Sequence, residues 1–519
     1  MAHRLRTCTA LAATALMVVV SNSTGRTPAV RAAAATAATS AVSTHAPASA
    51  RPGSVLHPGD VASSAVDEPP PVDVLVHRPG RAQGDLFVTA QGQTEFPRGP
   101  QIMDDHGRPI WFRKVPDGNF ASDFRVQEYH GQKVLTWWEG ESTNTGVGAG
   151  IGYIANQNYE IIATVQTPDP GEVMDLHEFL LTPQGTALIV SYQQKPYDLS
   201  EYGGPKNGSV VDSVVQEIDI ATGRKVMNWS SLAHVPLTDS DFRPAPGSTV
   251  PYDYLHVNSV DVDTDGNLLI SGNGASTIYK VDRRTGKIIW RLGGRHSDFR
   301  LGAGVRFSWQ HDVRSVGHNT YRVFDNGTRR GLEGYESRVA WIRIDPAHGT
   351  SKLIRQQVHP KLMSSPVEGN SQALTNGDTF VSWGVAGPGR MSEFSRDGRL
   401  LFDATFPYNG SSYRAYRLGW EGRPLTKPDL IVDDAASGVV RANWNGASDV
   451  ARWRLLAGES QGGLKPVANA AWDGFDTPIK LPADARDAAR LQVQALDERG
   501  KVIDSSPVTP VGTGASGVR

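Results

Sequence analysis

The sequence predicts an all-β chain, and three observations carry that prediction. Short runs of alternating apolar and polar residues fill the chain from about residue 72 onward, bounded by Gly and Asp turns, with no long amphipathic helix between them. Glycine (54 residues) and proline (33) are frequent enough to supply many turns, and the 12 tryptophans and 14 tyrosines suit pleated sheet. Two hairpin elements also alternate along the chain with a period of roughly 50 to 80 residues. One is "DFRVQEYHGQKVLTWW", "HEFLLTPQGTALIVSY", "HVNSVDVDTDGNLLISG", "QHDVRSVGHNTYRVFDNG" and "NSQALTNGDTFVSWG". The other is "PQIMDDHGRPIWFRKV", "VVQEIDIATGRKVMNW", "TIYKVDRRTGKIIWRL", "VAWIRIDPAHGTSKLI" and "MSEFSRDGRLLFDATF". Two hairpins make a four-stranded sheet, and a series of such sheets reads as a β-propeller. With a first unit near "GDLFVTAQG", the expected number of blades is six.

The segments follow in order. Residues 1–30 read as a secretory signal peptide, with Arg4 and Arg6 before an apolar stretch, residues 8–20, too short to cross a bilayer comfortably. Residues 31–71 are rich in Ala, Ser, Thr and Pro and poor in large apolar side chains, which predicts a disordered linker. Residues 72–424 carry the hairpin repeat. After "GWEGRPL" the character changes. Residues 426–512, with Trp444 in one strand and "VQALDERG" as a hairpin, read as a small fibronectin type III-like β-sandwich, although no tyrosine stands at the tyrosine-corner position. The expected location is secreted or associated with the cell wall, with no membrane span after signal cleavage.

Bulk chemistry excludes several classes of function. A net charge of −2 gives no global attraction to nucleic acid or an anionic membrane. Cys8 is the only cysteine and lies within the predicted signal, so the mature chain would have no disulfide, no cysteine–zinc site and no thiol nucleophile. The sequence leaves the oligomeric state open.

In a propeller, the innermost strand of each sheet lines a central channel, so residues at equivalent strand starts converge. Arg125, His177, His256, His311 and Gln372 stand at roughly equivalent starts. A single histidine there would read as a satisfied turn residue; three in register predict a shared site. Imidazoles work as nucleophile, acid or base near neutral pH, and arginine forks suit oxyanions. Such a site prefers an anionic substrate. Asn258 follows His256 by two residues on the same strand face. "FDNGTRRGLEGYESR" brings Arg329 and Arg330 on a Gly-containing loop. Trp309, Trp383, Phe307 and Tyr413 are candidates for a wall that holds an aromatic ring.

"YLHVNSVDVDTDGNLLISGNGASTIYKVDRRTGKIIWRLGG" and then "FSWQHDVRSVGHNTYRVFDNGTRRG" resemble the arylsulfotransferase family, in its large actinobacterial and fungal branch, over about residues 75–420. The resemblance implies a six-bladed propeller. It also implies transfer of a sulfuryl group from a phenolic sulfate ester to a phenol, through a sulfated histidine, with no nucleotide donor and no cofactor. The implied partners are a small-molecule aryl sulfate and a phenol. His256 and His311 match two active-site histidines, and Arg330 matches the active-site arginine. The family's sulfated histidine has no counterpart, because that strand start reads Asn370, Ser371 and Gln372; the nearest histidine is His359. His256, His311 and Arg330 are therefore the expected catalytic residues, with Asn258, His177, Arg125, Gln372 and Trp309 binding substrate and no metal. Two other readings compete. One is a metal-dependent hydrolase or lyase acting on an anion, with His177, His256, His311 and Asp312 around a divalent ion. The other is a non-catalytic extracellular binding module.

Overall fold

The computed structural model describes residues 68–511 apart from 93–94, 143–145, 328–335, 408 and 433–437. The expected signal segment and nearly all of the expected linker lie outside the described residues. The chain is all-β: the one α-helix among the described residues is the single turn Ser231–His234.

Six mainly antiparallel sheets come first, two of them with a short parallel strand added. Each runs from an inner strand outward through a four-stranded meander. The inner strands of five of them are Phe120–Tyr129, Phe179–Leu181, Val257–Val262, His311–Ser315 and Asn370–Ala373. The sixth sheet is closed by both ends of the chain segment. Its inner strand, Ser411–Leu418, pairs with Asp85–Gln91, which leads on to Gly99–Met103 and Pro109–Phe112. Strand Asp73–His77 joins the outer edge of Leu400–Thr405, so a second N-terminal strand is also held by a late one. Neither end of this region can peel away without breaking a ladder of backbone hydrogen bonds.

The sheets pack through apolar clusters between neighbours, such as Leu188, Val215, Trp229, Tyr254, Val260 and Tyr279. The inner strands are tied together differently. In five of the six, a polar side chain accepts a hydrogen bond from a backbone amide of the next inner strand, and in the sixth an arginine side chain donates instead. Asp123 accepts from Phe179 (3.1 Å), Glu178 from Val260 (3.1 Å) and Ser259 from Val313 (3.0 Å). Asp312 then accepts from Ser371 (2.8 Å) and Asn370 from Ala415 (2.9 Å), and Arg414 returns to Asp123 (2.9 Å), closing the cycle. These are backbone donors that sheet pairing cannot reach, and a side chain must satisfy them once they are buried.

At the centre of this cycle lies a buried ionic cluster. Glu178 Oε1 receives Arg125 (2.8 Å) and Arg414 (3.0 Å), while its Oε2 receives Arg314 (2.9 Å) and Arg414 (3.2 Å). Asp123 and Asp312 complete the set, so three guanidiniums face three carboxylates. Burial would raise the Glu178 carboxyl, but the three guanidiniums outweigh it and hold the group well below its ordinary range.

Two further sheets follow, Asp429–Ile431 with Val439–Asn443 and Asp476–Lys480, and Lys465–Ala471 with Arg452–Gly458, Arg490–Leu496 and Val502–Ser505. They face one another over a core of Trp444, Trp453, Leu455, Ile479, Leu491 and Val493. They dock on the outer edge of the Pro109–Phe112 strand, where Asn445 takes the place of a pairing strand. Its Oδ1 accepts from Phe112 N (2.9 Å) and its Nδ2 donates to Phe112 O (2.7 Å). An exposed sheet edge is thereby covered. The adjacent Gly446 (φ +94°) has the ring of Tyr159 so close that a Cβ would meet it at 2.4 Å, and Tyr159 itself stacks on Trp111 at 5.0 Å.

Removing Arg414 leaves Asp123 and Glu178 short of a buried partner. Arg414→Met is expected to cost about 3–5 kcal/mol, read by urea unfolding, whereas Arg423→Met at the exposed surface should change stability by less than about 0.5 kcal/mol. Equal effects at the two positions would remove the cluster from the account of stability. The sign with pH follows from Glu178. Its folded pKa is depressed, so its contribution is complete above the ordinary value of 4.5 and is lost as pH falls through the folded one.

Candidate functional site

The cycle of amide-accepting side chains defines a common register for the inner strands. With Asp123, Glu178, Ser259, Asp312, Asn370 and Arg414 as equivalent positions, the preceding residues form one layer that includes His177, Asn258, His311 and Tyr413. His256 stands two residues ahead of that layer. Arg125 and Gln372 stand two residues beyond the equivalent position, in the direction of the ionic cluster. The strand starts are therefore staggered rather than in a single row.

Three inner strands begin on irregular pairing. Register shifts lie between Ser122 and Arg125, between Val257 and Ser259, and between His311 and Arg314. At or beside them, Asp123, His256 and Asp312 hold left-handed φ values of +52°, +50° and +50°. Such values are costly for residues other than glycine, and bulges of this kind re-aim side chains.

The result brings His177 and His311 against Tyr413, and His256 against His177. The rings of His177 and His256 meet edge to face at 4.8 Å. His177 lies 5.5 Å from Tyr413, and His311 lies 6.5 Å from it. Tyr192 stacks on His256 at 5.5 Å and donates its hydroxyl to Val257 O at 2.6 Å. The Tyr413 hydroxyl is shared between His177 O (3.3 Å) and Asn258 O (3.2 Å), so it braces the strands.

Each histidine has its own proton arrangement. His256 Nδ1 meets Asp253 Oδ2 at 2.6 Å, and its Nε2 has no hydrogen-bond partner among the described residues. With 21% of its side chain exposed, it is the accessible one of the three. Burial works against its charge, but the Asp253 carboxylate, aided by Asp175, lifts its pKa above the ordinary value. His177 Nδ1 is bound to Asp175, whose other oxygen accepts from Gly148 N at 2.6 Å. His177 is buried, and there burial prevails over Asp175 and lowers its pKa. A carboxylate on Nδ1 fixes the tautomer and presents the Nε2 lone pair.

His311 differs. Asn326 Nδ2 donates to Ser365 O (2.9 Å) and Glu368 O (3.0 Å), so Asn326 Oδ1 must face His311 Nδ1, which donates to it at 2.8 Å. His311 Nε2 then accepts from Glu368 N at 3.3 Å. Both ring nitrogens are engaged. Burial pushes this imidazole down to about 3, with His177, His256 and Arg414 adding to the effect, so it stays neutral.

The other expected site residues have varied fates. Arg125 is buried in the ionic cluster, where its Nη2 donates both to Glu178 Oε1 (2.8 Å) and to Phe179 O (2.8 Å), so its charge is already paired inside the protein. Gln372 spans to the neighbouring inner strand, accepting from Arg417 N (2.8 Å) and donating to Arg417 O (2.9 Å). Asn258 Nδ2 is committed to Gln310 O (2.8 Å). Trp309, at φ +54°, lines a cleft of about 620 Å³ with Phe307, Arg295 and Arg306. Asn273 ties the Trp309 backbone to that of His256, donating from its side chain to Trp309 O (2.7 Å) and from its amide to His256 O (3.1 Å). Trp383 is fully buried and donates to Ser392 Oγ (3.0 Å), so it forms no wall. His359 is also fully buried, edge-on to Trp383 at 5.6 Å, with Nε2 on Asp403 (3.3 Å) and Nδ1 accepting from Lys361 N (3.1 Å). It is a core residue of its sheet. Arg330 and Arg329 lie outside the described residues.

His177, His256 and His311 do not form a metal-sized cluster, and Asp312 is occupied by Arg314 (2.8 Å) and Ser371 N (2.8 Å). Among the described residues, the group with such spacing is His77, Asp105 and His106, remote in sequence from these histidines; there Arg81 already donates to Asp105 at 2.8 Å. No helix among the described residues is long and apolar enough to cross a membrane.

Residues 125–407 match the family described as arylsulfotransferase (ASST). No curated protein matches the chain. Among solved structures, it is similar to a protein of unknown function from Bacteroides caccae, at 10% identity and a TM-score of 0.38, over 64% of this chain and 98% of that one. It is also similar to a catalytically inactive virginiamycin B lyase from Staphylococcus aureus with quinupristin, at 8% identity and a TM-score of 0.34, over 65% and 89% of the two chains.

Asp253 raises the His256 pKa, so Asp253→Asn should lower it while keeping an oxygen opposite Nδ1. The check is the titration of the His256 ring by NMR. An unmoved midpoint would show that the carboxylate does not tune this imidazole.

Proposed function

The chain belongs to the arylsulfotransferase family, and from that premise we propose that it is an exported enzyme that moves a sulfuryl group from a phenolic sulfate ester to a phenol. We read the six sheets as the blades of a propeller and the two C-terminal sheets as a fibronectin type III-like sandwich that covers one blade edge. The observation that carries the functional reading is His256. Its Nδ1 is held by a carboxylate, its Nε2 has no protein partner among the described residues, and it is the accessible imidazole of the three.

In the first half-reaction, the Nε2 lone pair attacks the sulfur of the donor. The S–N bond forms, the S–O bond to the aryl oxygen breaks, and its electron pair leaves with that oxygen. Asp253 balances the positive charge left on the sulfated ring. In the second half, the oxygen of the acceptor phenol attacks sulfur and the S–N bond breaks. His177, kept neutral by burial, flanks the reacting ring at 4.8 Å. Trp309 and Phe307 supply apolar surface for the aryl ring in the cleft they line. The anion-binding guanidinium is assigned, from the sequence, to Arg330. His311 takes a positioning role instead of a chemical one, because both its nitrogens are committed.

The test uses purified protein with an aryl sulfate donor and a phenol acceptor, with no nucleotide. Donor alone should leave one sulfuryl group on the protein, seen by intact mass. His256→Ala should lose that mass gain and lower turnover by roughly 10² or more. His359→Ala should keep the mass gain. Attack needs a neutral ring, so the rate should rise with pH through the raised His256 pKa. Absence of transfer from every aryl sulfate tried would turn the reading toward a binding module.

A further inference from the structure

A second group of histidines lies apart from the site described above. His77 ends the strand Asp73–His77, and Asp105 and His106 lie in the turn between Gly99–Met103 and Pro109–Phe112. The two segments belong to different sheets. The strand adds to the edge of Leu400–Thr405, and the turn belongs to the sheet closed by Ser411–Leu418. Their side chains nevertheless meet. His77 Nε2 lies 3.0 Å from Asp105 Oδ2, and His106 Nε2 lies 3.8 Å from Asp105 Oδ1. The two imidazole rings are 4.3 Å apart. One donor atom from each of the three residues lies within 4.8 Å of the others.

Each donor is carried on a fixed backbone. Asp104 Oδ1 accepts from His106 N (3.0 Å) and Arg108 N (2.8 Å). The turn is closed by Asp104 N on Arg108 O (2.9 Å) and Gly107 N on Asp104 O (3.1 Å). Gly107, at φ +83°, lies so close to the N-terminal strand that a Cβ would meet Val72 O at 2.7 Å. Turn and strand are therefore in direct contact. On the far side, His77 pairs with Phe402, and Arg78 N donates to Leu401 O (2.9 Å). Arg81 occupies one oxygen of Asp105 and not the other. Its Nε (3.2 Å) and Nη2 (2.8 Å) both donate to Oδ2. Oδ1 accepts no hydrogen bond among the described residues and faces His106. A carboxylate held on one oxygen and open on the other is oriented as metal ligands commonly are.

We propose that His77, Asp105 and His106 bind one divalent transition metal of the zinc, nickel or copper(II) type, through the two Nε2 atoms and Oδ1, and that the ion fastens the N-terminal strand to the neighbouring sheet. The site is independent of the sulfuryl-transfer reading. Two imidazole nitrogens with one carboxylate oxygen suit these metals, whereas calcium and magnesium take oxygen ligands. At bond lengths of about 2.0–2.2 Å, two donors on a tetrahedral ion stand about 3.3 Å apart, so the widest gap must close by roughly 1.5 Å. The His106 side chain is 57% exposed and has the freedom to move, and the ion enters from solvent without opening the fold. Binding exchanges the contact between His77 and Asp105 for bonds to the metal. Arg81 stays on Oδ2 and keeps the carboxylate oriented. Water fills the remaining positions, as three protein ligands do not complete a tetrahedron.

The test titrates the full chain, stripped with a chelator, with Zn²⁺ by isothermal calorimetry. One ion per chain should bind, and an excess of Ca²⁺ of about a hundredfold should not displace it. His77→Ala and His106→Ala should each weaken binding by roughly 10² or more. His348→Ala, which removes an exposed histidine paired with Asp345, should leave it unchanged. Zn²⁺ should also slow hydrogen exchange of the Asp73–His77 amides in wild type and not in His106→Ala. If His77→Ala does not fold, His106→Ala on the exposed turn decides. No binding of Zn²⁺, or an affinity that both histidine variants keep, would overturn the site. Binding that leaves exchange in the strand unaltered would overturn the fastening role.

Discussion

The histidine cluster hangs on one buried carboxylate, Glu178. Three guanidiniums from three different strands converge on it. The desolvation of each of these ions costs several kcal/mol, and only a complete set of partners offsets it. The cluster therefore admits one arrangement of those strands, and the site inherits its geometry from that constraint. His177 is the chain neighbour of Glu178. Val260, whose amide Glu178 holds, follows His256 and Asn258 in the same stretch. Arg314 lies three residues after His311, and Arg414 one after Tyr413. Each of these residues is thus within four positions of a group bound to this hub, so the charges that tie the strands together also aim the imidazoles.

The period-two alternation and the recurrent Gly and Asp turns made the all-β architecture legible before any coordinates. The same reading brought His177, His256 and His311 to one place. It treated Arg125 as an equivalent strand start and gave it to substrate. The left-handed residue Asp123 breaks the alternation there, and Arg125 turns into the cluster. A bulge leaves little trace in a single sequence when its left-handed position is filled by Asp or His rather than Gly. Two signals could have been used and were not. "DLH" and "DYLH" place an aspartate two or three residues ahead of His177 and His256, and in the structure these are the Nδ1 partners.

Three histidines in one space have three different proton affinities, and the reason is their partners. His256 faces a carboxylate and keeps some contact with solvent, so its charged form is favoured. His177 faces a carboxylate too, but deeper burial and two neighbouring cations in potential, His256 and Arg414, reverse the sign. His311 has a neutral amide in place of the carboxylate, and it falls furthest. A residue type alone therefore does not set the proton affinity; the atom opposite Nδ1 and the depth of burial do, and His177 and His256, both on a carboxylate, differ in the second.

The same reasoning explains why His311 remains useful without doing chemistry. A neutral imidazole with Nδ1 protonated offers one donor and one acceptor, 180° apart in function, and both are consumed in the loop through Asn326 and Glu368. A lysine or arginine in its place would have no acceptor for the Glu368 amide, and a carboxylate would have no donor for Asn326. A neutral glutamine has both, but its donor and acceptor share one amide carbon, whereas the imidazole separates them across a rigid ring. Rigidity matters because the loop must hold Glu368 at φ +64°, against its preference for negative φ. The position thus needs the two-sided hydrogen bonding of histidine and not its acidity, which burial has removed.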